Sequence, residues 1–120
     1  MYDVIIIGAG AAGMMAAGTA AQNGKKVLVI EKMEKAGRKI RITGKGRCNL
    51  TNARPPEEFA EQVRTNADFF ATAFAEFNNR ATIRFFERRG LKLDFERGDR
   101  VFPHSGKAWD VANTLEEWCR

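Results

Sequence analysis

Val4-Ile5-Ile6-Ile7-Gly8-Ala9-Gly10-Ala11-Ala12-Gly13 opens the chain almost at once and decides its fold. Four consecutive β-branched residues suit a strand buried on both faces, as in a parallel sheet. The glycines that follow read Gly8-x-Gly10-x-x-Gly13, and residues 14–23 are rich in Ala and Met, which favour helix. Gly24 stands where such a helix stops, and 27–30 is a second apolar run. Strand, helix and strand within about thirty residues predict a right-handed βαβ unit, the phosphate-binding half of a Rossmann-like α/β fold.

Each glycine has a mechanical reason to be there. Gly8 permits the tight turn out of the strand, Gly10 lets backbone approach a pyrophosphate, and Gly13 allows the helix to lie close on the strand. Unpaired N–H groups at the helix start favour the phosphates. Glu31 ends the second strand, eighteen residues after Gly13. A carboxylate there accepts from both ribose hydroxyls of the adenosine half and repels a 2′-phosphate. These residues point to a dinucleotide with free ribose hydroxyls and leave FAD and NAD as alternatives.

Outward from the unit, charge is uneven. The 120-residue chain carries +5. Lys32, Lys35, Arg38, Lys39, Arg41, Lys45, Arg47 and Arg54 face only Glu34 across residues 32–54, an excess of +7, whereas 55–120 holds ten basic and twelve acidic side chains. A local basic cluster calls for a local anion, and a glycine-bearing loop after the ribose-reading acid can fold back over the same dinucleotide. Nucleic acid is not expected, because no aromatics interleave these cations and the remainder is neutral to acidic. The loop is read as ordered, with one helical turn near 38–41.

Pro55-Pro56 marks the expected boundary between 1–54 and 55–120. Past it, helices are predicted over 57–64 and 68–77, then 82–89 with Asn79 as cap and Gly90 as stop. Leu91, Leu93 and Phe95 alternate with polar residues as a half-buried strand, 97–100 is a turn, 101–102 a returning strand and 108–120 a helix. The phenylalanines, at helical spacings, are read as core.

Other classes fall away. No signal peptide is expected from these residues, and they hold no apolar stretch long enough to span a bilayer and no repeat. Cys48 and Cys119 lie far apart with no metal-spaced partners, so neither zinc nor a disulfide framework is expected and a reducing cytoplasm is the default compartment. His104 is the lone histidine, in a turn-like Pro103-His104-Ser105-Gly106, and no side chain stands out as a catalytic acid or base.

The run Gly37-Arg38-Lys39-Ile40-Arg41-Ile42-Thr43-Gly44-Lys45-Gly46-Arg47-Cys48-Asn49-Leu50-Thr51-Asn52 resembles the hallmark of a bacterial and archaeal flavoprotein family, the aminoacetone oxidase and BaiN-type NAD(P)/FAD-dependent oxidoreductases. A second stretch, 98–111, resembles another pattern of that family. The resemblance covers essentially the whole chain. It implies tightly bound FAD, oxidoreductase chemistry at the flavin with NAD(P)H as a candidate reductant, and a small-molecule substrate with no membrane partner. It implies that Gly8, Gly10, Ala12 and Gly13 face the pyrophosphate and that Glu31 holds the ribose with Lys32 beside it. Lys39 would contact the phosphate or ribose region, and Thr43, Gly44, Arg47, Cys48 and Asn49 would lie along the ribityl chain and flavin. Cys48 has no redox partner five residues on, where Ala53 stands, so a dithiol mechanism is excluded and the residue is read as small and buried. Members of the family are several times longer, so an N-terminal piece of such an enzyme is implied, with substrate-choosing residues lying mostly past Arg120.

Overall fold

A computed structural model describes all 120 residues. They pack as two compact units, one of residues 1–48 with 106–120 and one of residues 49–105. The expected boundary at Pro55 thus lies inside the second unit, and the last helix belongs with the first.

In the first unit β1 (Val4–Ile7) pairs in parallel with β2 (Val27–Ile30), Val4 opposite Val27 and Ile7 opposite Ile30. The crossover is α1 (Ala11–Gln22). It begins three residues earlier than expected, because Gly10 itself takes the extended N-cap conformation. A short helix, α2 (Arg38–Ile42), follows Gly37. The unit is completed by α6 (Ala108–Cys119), numbered after the elements of the second unit, which packs on α1 and α2. Ala108, Val111, Ala112 and Leu115 form its buried stripe at helical spacing. Gly18 of α1 is there because the Trp118 ring occupies the space that a Cβ would need.

The burial of β1 differs from expectation. Ile5 and Ile7 are 59% and 78% exposed, while Val4 and Ile6 are half-buried. α1 lies against the two strands and covers one face, so the residues alternate as they do in any one-sided sheet.

The second unit holds β3 (Thr51–Asn52), α3 (Pro56–Glu61), α4 (Ala67–Glu76), α5 (Asn79–Arg88), β4 (Leu93–Glu96) and β5 (Arg100–Pro103). The strands make an antiparallel sheet in the order β3-β5-β4. The tight link between β4 and β5 needs left-handed backbone at Gly98, φ +75°, and takes Asp99 there too. Val101, Phe102 and Pro103 are buried on the sheet, with Ile83, Phe85 and Phe86 of α5 among the unit's other buried residues.

Two expectations are corrected here. The cap of α5 is Asn78, whose Oδ1 accepts from Ala81 N at 2.9 Å. Asn79 is the first helical residue instead; buried, it donates from Nδ2 to the carbonyls of Asn52 (2.7 Å) and Arg54 (2.8 Å), tying α5 to the β3 segment. The phenylalanines divide as well. Phe59, Phe70 and Phe74 stack on one another, but Phe69 is 87% exposed and Phe95 faces solvent from a strand that buries Leu93. Helical spacing puts Phe69 one residue off the stacked stripe. No helix is long and apolar enough to cross a membrane.

Candidate dinucleotide site

The site is built around Ala9, between the first two glycines. Gly8 N donates to Ile30 O at 2.7 Å, which anchors the loop to the end of β2. Ala9 N donates to Glu31 Oε1 at 2.9 Å, and Ala9 O accepts from Gly37 N at 2.7 Å. The glycine loop is thereby held from both sides, by the acid that ends β2 and by the residue that starts α2.

The glycines do different work. Gly8 has φ +97°, a conformation L side chains rarely adopt. Gly13 is packed so closely that a Cβ would collide with the carbonyl oxygen of Gly8. Around Gly10, by contrast, a Cβ would meet nothing within 4 Å. Helix α1 has no side-chain cap and no acid in its first turn, and Ala12 is exposed there. The helix start thus offers free N–H groups and partial positive charge to an anion, with open space above Gly10 for it to approach.

Glu31 accepts at both oxygens, from Ala9 N and from Met33 N, each at 2.9 Å. These backbone hydrogen bonds, Met33 first and Ala9 second, hold its carboxyl below the usual carboxylate range. The group stays ionised with a lone pair on each oxygen still open to hydroxyl donors. Beside it lies a cavity of about 290 Å³ lined by Ala9, Met14, Val29, Glu31, Met33 and Ala36. Glu34, Glu116, Cys119 and Arg120 complete its lining, and the apolar walls beside the fixed Glu31 carboxylate suit an adenosine.

Gly37 is a site residue that the motif did not reveal. It takes φ +67°, and a Cβ would press on Met14 Cε at 3.2 Å and Ala112 Cβ at 3.1 Å. Its signal in the sequence is only a glycine before a helical turn. In the sequence Arg41 likewise shows only as charge. It is buried, donating from Nε to Ala36 O (3.0 Å), from Nη1 to Asn113 Oδ1 (2.8 Å) and from Nη2 to Glu116 Oε2 (3.2 Å). It fixes α2, and with it Gly37, against α6.

The remaining predicted residues are placed as follows. Lys32 and Lys39 are exposed, Lys32 next to Glu31 and Lys39 in α2. Thr43 Oγ1 donates to Ile40 O at 2.7 Å and closes α2. Gly44, Lys45 and Gly46 then run consecutively through left-handed backbone before Arg47, which is exposed. Cys48 is buried at φ +60°, with its N–H on Thr43 O. Burial pushes its thiol up, against a smaller opposing hydrogen bond from Thr43. Asn49 is exposed and is the first residue of the second unit. His104, also in the second unit, lies 2.9 Å from Asp94 through Nδ1, both exposed. No group of three or more His, Cys, Asp or Glu side chains is placed to hold a metal.

Known proteins are similar to this chain in sequence. The chain is 35% identical over 118 residues to a 3-dehydro-bile acid delta(4,6)-reductase of Clostridium scindens, covering 97% of this chain and 28% of that protein. It is 42% identical over 91 residues to a ribosomal RNA dihydrouridine synthase of Escherichia coli, covering 75% of this chain and 22% of that protein. A digeranylgeranylglycerophospholipid reductase of Methanocella arvoryzae is 44% identical over 61 residues, half of this chain and 14% of the relative. The chain thus spans about a quarter of the length of the first two. The family model described as the HI0933-like protein Rossmann domain matches residues 2–120, and the chain belongs to that family.

Proposed function

We propose that the first unit binds the ADP half of FAD and that the chain forms the N-terminal part of a flavin-dependent oxidoreductase. The observation that carries this reading is the double hold on Ala9, which aligns the glycine loop, the α1 start and the Glu31 carboxylate on one ligand. The pyrophosphate would lie over Gly10 on the N–H groups of Ala11 and Ala12. Glu31 would accept from the adenosine ribose hydroxyls, with Lys32 beside it. The residues present fit such a group, since the space above Gly10 is open and the start of α1 has no side-chain cap.

When bound, the isoalloxazine ring supplies the electron transfer. This chain's residues bind and orient. Lys39, Thr43, Gly44, Arg47, Cys48 and Asn49 are proposed to run toward the ribityl chain and flavin, and NAD(P)H is the proposed reductant. Two relatives named as reductases support reduction as the reaction of the whole protein. Two free cysteines suit a reducing, cytoplasmic setting.

Titration of the purified chain with FAD, followed by flavin fluorescence and by absorbance at roughly 450 nm, tests the proposal. Saturable binding displaced by ADP is expected. A folded chain that takes NADH and ignores FAD would establish the alternative reading of an NAD module. One that takes neither would be a non-catalytic folded unit.

A further inference from the structure

The cavity beside Glu31 is richer in acceptors than in donors. Three of its lining side chains are carboxylates, Glu31, Glu34 and Glu116. The polar hydrogens around them are turned elsewhere. Cys119 Sγ donates to Met14 O at 3.0 Å, and Arg120 Nη2 donates to Glu116 Oε1 at 3.2 Å. Glu116 is held a second time, through Oε2, by Arg41 Nη2 at 3.2 Å. Glu31 accepts from Ala9 N and Met33 N. Of the three acids, Glu34 alone has neither a hydrogen bond nor an ion pair on its side chain, and it is exposed at the rim.

That balance selects one edge of a ligand. A carboxylate is an acceptor only, so a base edge that offers it a carbonyl or a bare C–H gains nothing, and an amino group supplies the missing proton. The chain places Glu34 for this. Glu31 Oε2 holds Met33 N at 2.9 Å, so the carboxylate proposed to take the ribose also fixes the residue that precedes Glu34. Three residues of chain reach at most about 10 Å, which sets Glu34 off from Glu31 on the scale of one purine base, with the side chain of Met33 as apolar wall between them. We infer that Glu34 accepts a hydrogen bond from the exocyclic amino group of the adenine, and so reads the base where Glu31 reads the sugar. This role rests on the adenosine reading of the cavity proposed above, and it concerns the ADP portion that FAD and NAD share.

The test is calorimetric titration of wild type, Glu34→Ala and Glu34→Gln with ADP and with purine riboside 5′-diphosphate, which carries hydrogen where ADP carries the amino group. Wild type is expected to prefer ADP about tenfold. Glu34→Ala should bind the two ligands alike, each about as well as wild type binds the analogue. Glu34→Gln should keep part of the preference, because its amide oxygen still accepts. The side chain is exposed, so both variants should unfold at the wild-type urea midpoint, which separates lost affinity from lost fold. The same preference for ADP in wild type and in Glu34→Ala overturns the inference. So does tighter binding of ADP to Glu34→Ala, which would make the carboxylate a repeller of the phosphates. Failures of the two proposals read differently. A wild-type chain that binds neither ligand overturns the adenosine site and the role of Glu34 with it, whereas one that binds both equally overturns the role of Glu34 alone.

Discussion

Arg41 and Glu116 lie 3.2 Å apart, with the guanidinium side chain 4% exposed and the carboxylate 28%. Seventy-five residues separate them. The pair, with Asn113 alongside, ties α2 to α6 beside the apolar packing of α6 on α1.

Arg41→Ala should therefore destabilise the first unit by about 2–3 kcal/mol, below the roughly 3–5 kcal/mol for breaking a fully buried pair, because Glu116 keeps partial access to water and a second partner in Arg120. Arg41→Lys should recover little, since one ammonium cannot replace three divergent N–H donors. Both tryptophans lie on α6, so tryptophan fluorescence during urea unfolding reports this unit specifically. A midpoint unchanged in either variant would remove Arg41 from the framework.

Gly10 and Gly13 should respond in opposite ways. Gly13→Ala drives a Cβ into the carbonyl of Gly8 and should cost about 1–3 kcal/mol of stability. Gly10→Val places its side chain in open space, so the protein should unfold at nearly the wild-type urea concentration while FAD affinity is lost. Parallel urea and flavin titrations of the two variants check this division.

Glu31 sets an acid limit on the site. Its carboxyl is held below its ordinary value of 4.5 in the folded chain, by Met33 N and Ala9 N. A depressed folded value means that the group's contribution is fully present above the unfolded value and disappears as pH falls through the folded one. ADP affinity and first-unit stability should accordingly be flat near neutrality and decline at acidic pH below 4.5. Glu31→Gln should bind more weakly at neutral pH and lose most of this acid dependence. Calorimetric titration with ADP across that range is the measurement.

Cys48 should react slowly with thiol reagents. Burial raises its thiol, leaving little thiolate at neutral pH, and only 6% of the residue is open to attack. Cys119 is also raised by burial, but it is less enclosed. Labelling in native buffer should modify Cys119 first, with Cys48 following only when denaturant is added; mass spectrometry of digested protein distinguishes the two.

Much of the candidate site was legible because its signals are local. β1, the glycine loop, β2 and Glu31 are carried by short-range rules of β-branching, glycine geometry and strand length, and the turn at 38–41 was found for the same reason. Asn78 and Asn79 are equivalent as caps in the sequence until the backbone chooses one; Asn78 caps α5, and Asn79 serves the carbonyls of Asn52 and Arg54. Phe69 and Phe95 read as core from spacing alone, because periodicity is blind to which face finds a neighbour.

By itself the sequence determined the βαβ unit, its three glycines and the acid at the end of β2, because each follows from what a few consecutive residues allow the backbone to do. Only the tertiary structure decided that Gly37 closes on Ala9, that Arg41 finds Asn113 and Glu116, and that Trp109 stands beside Lys35. Those contacts join residues far apart in the chain. Their energy comes from burying shared surface and satisfying buried donors, and neither leaves a mark in local composition.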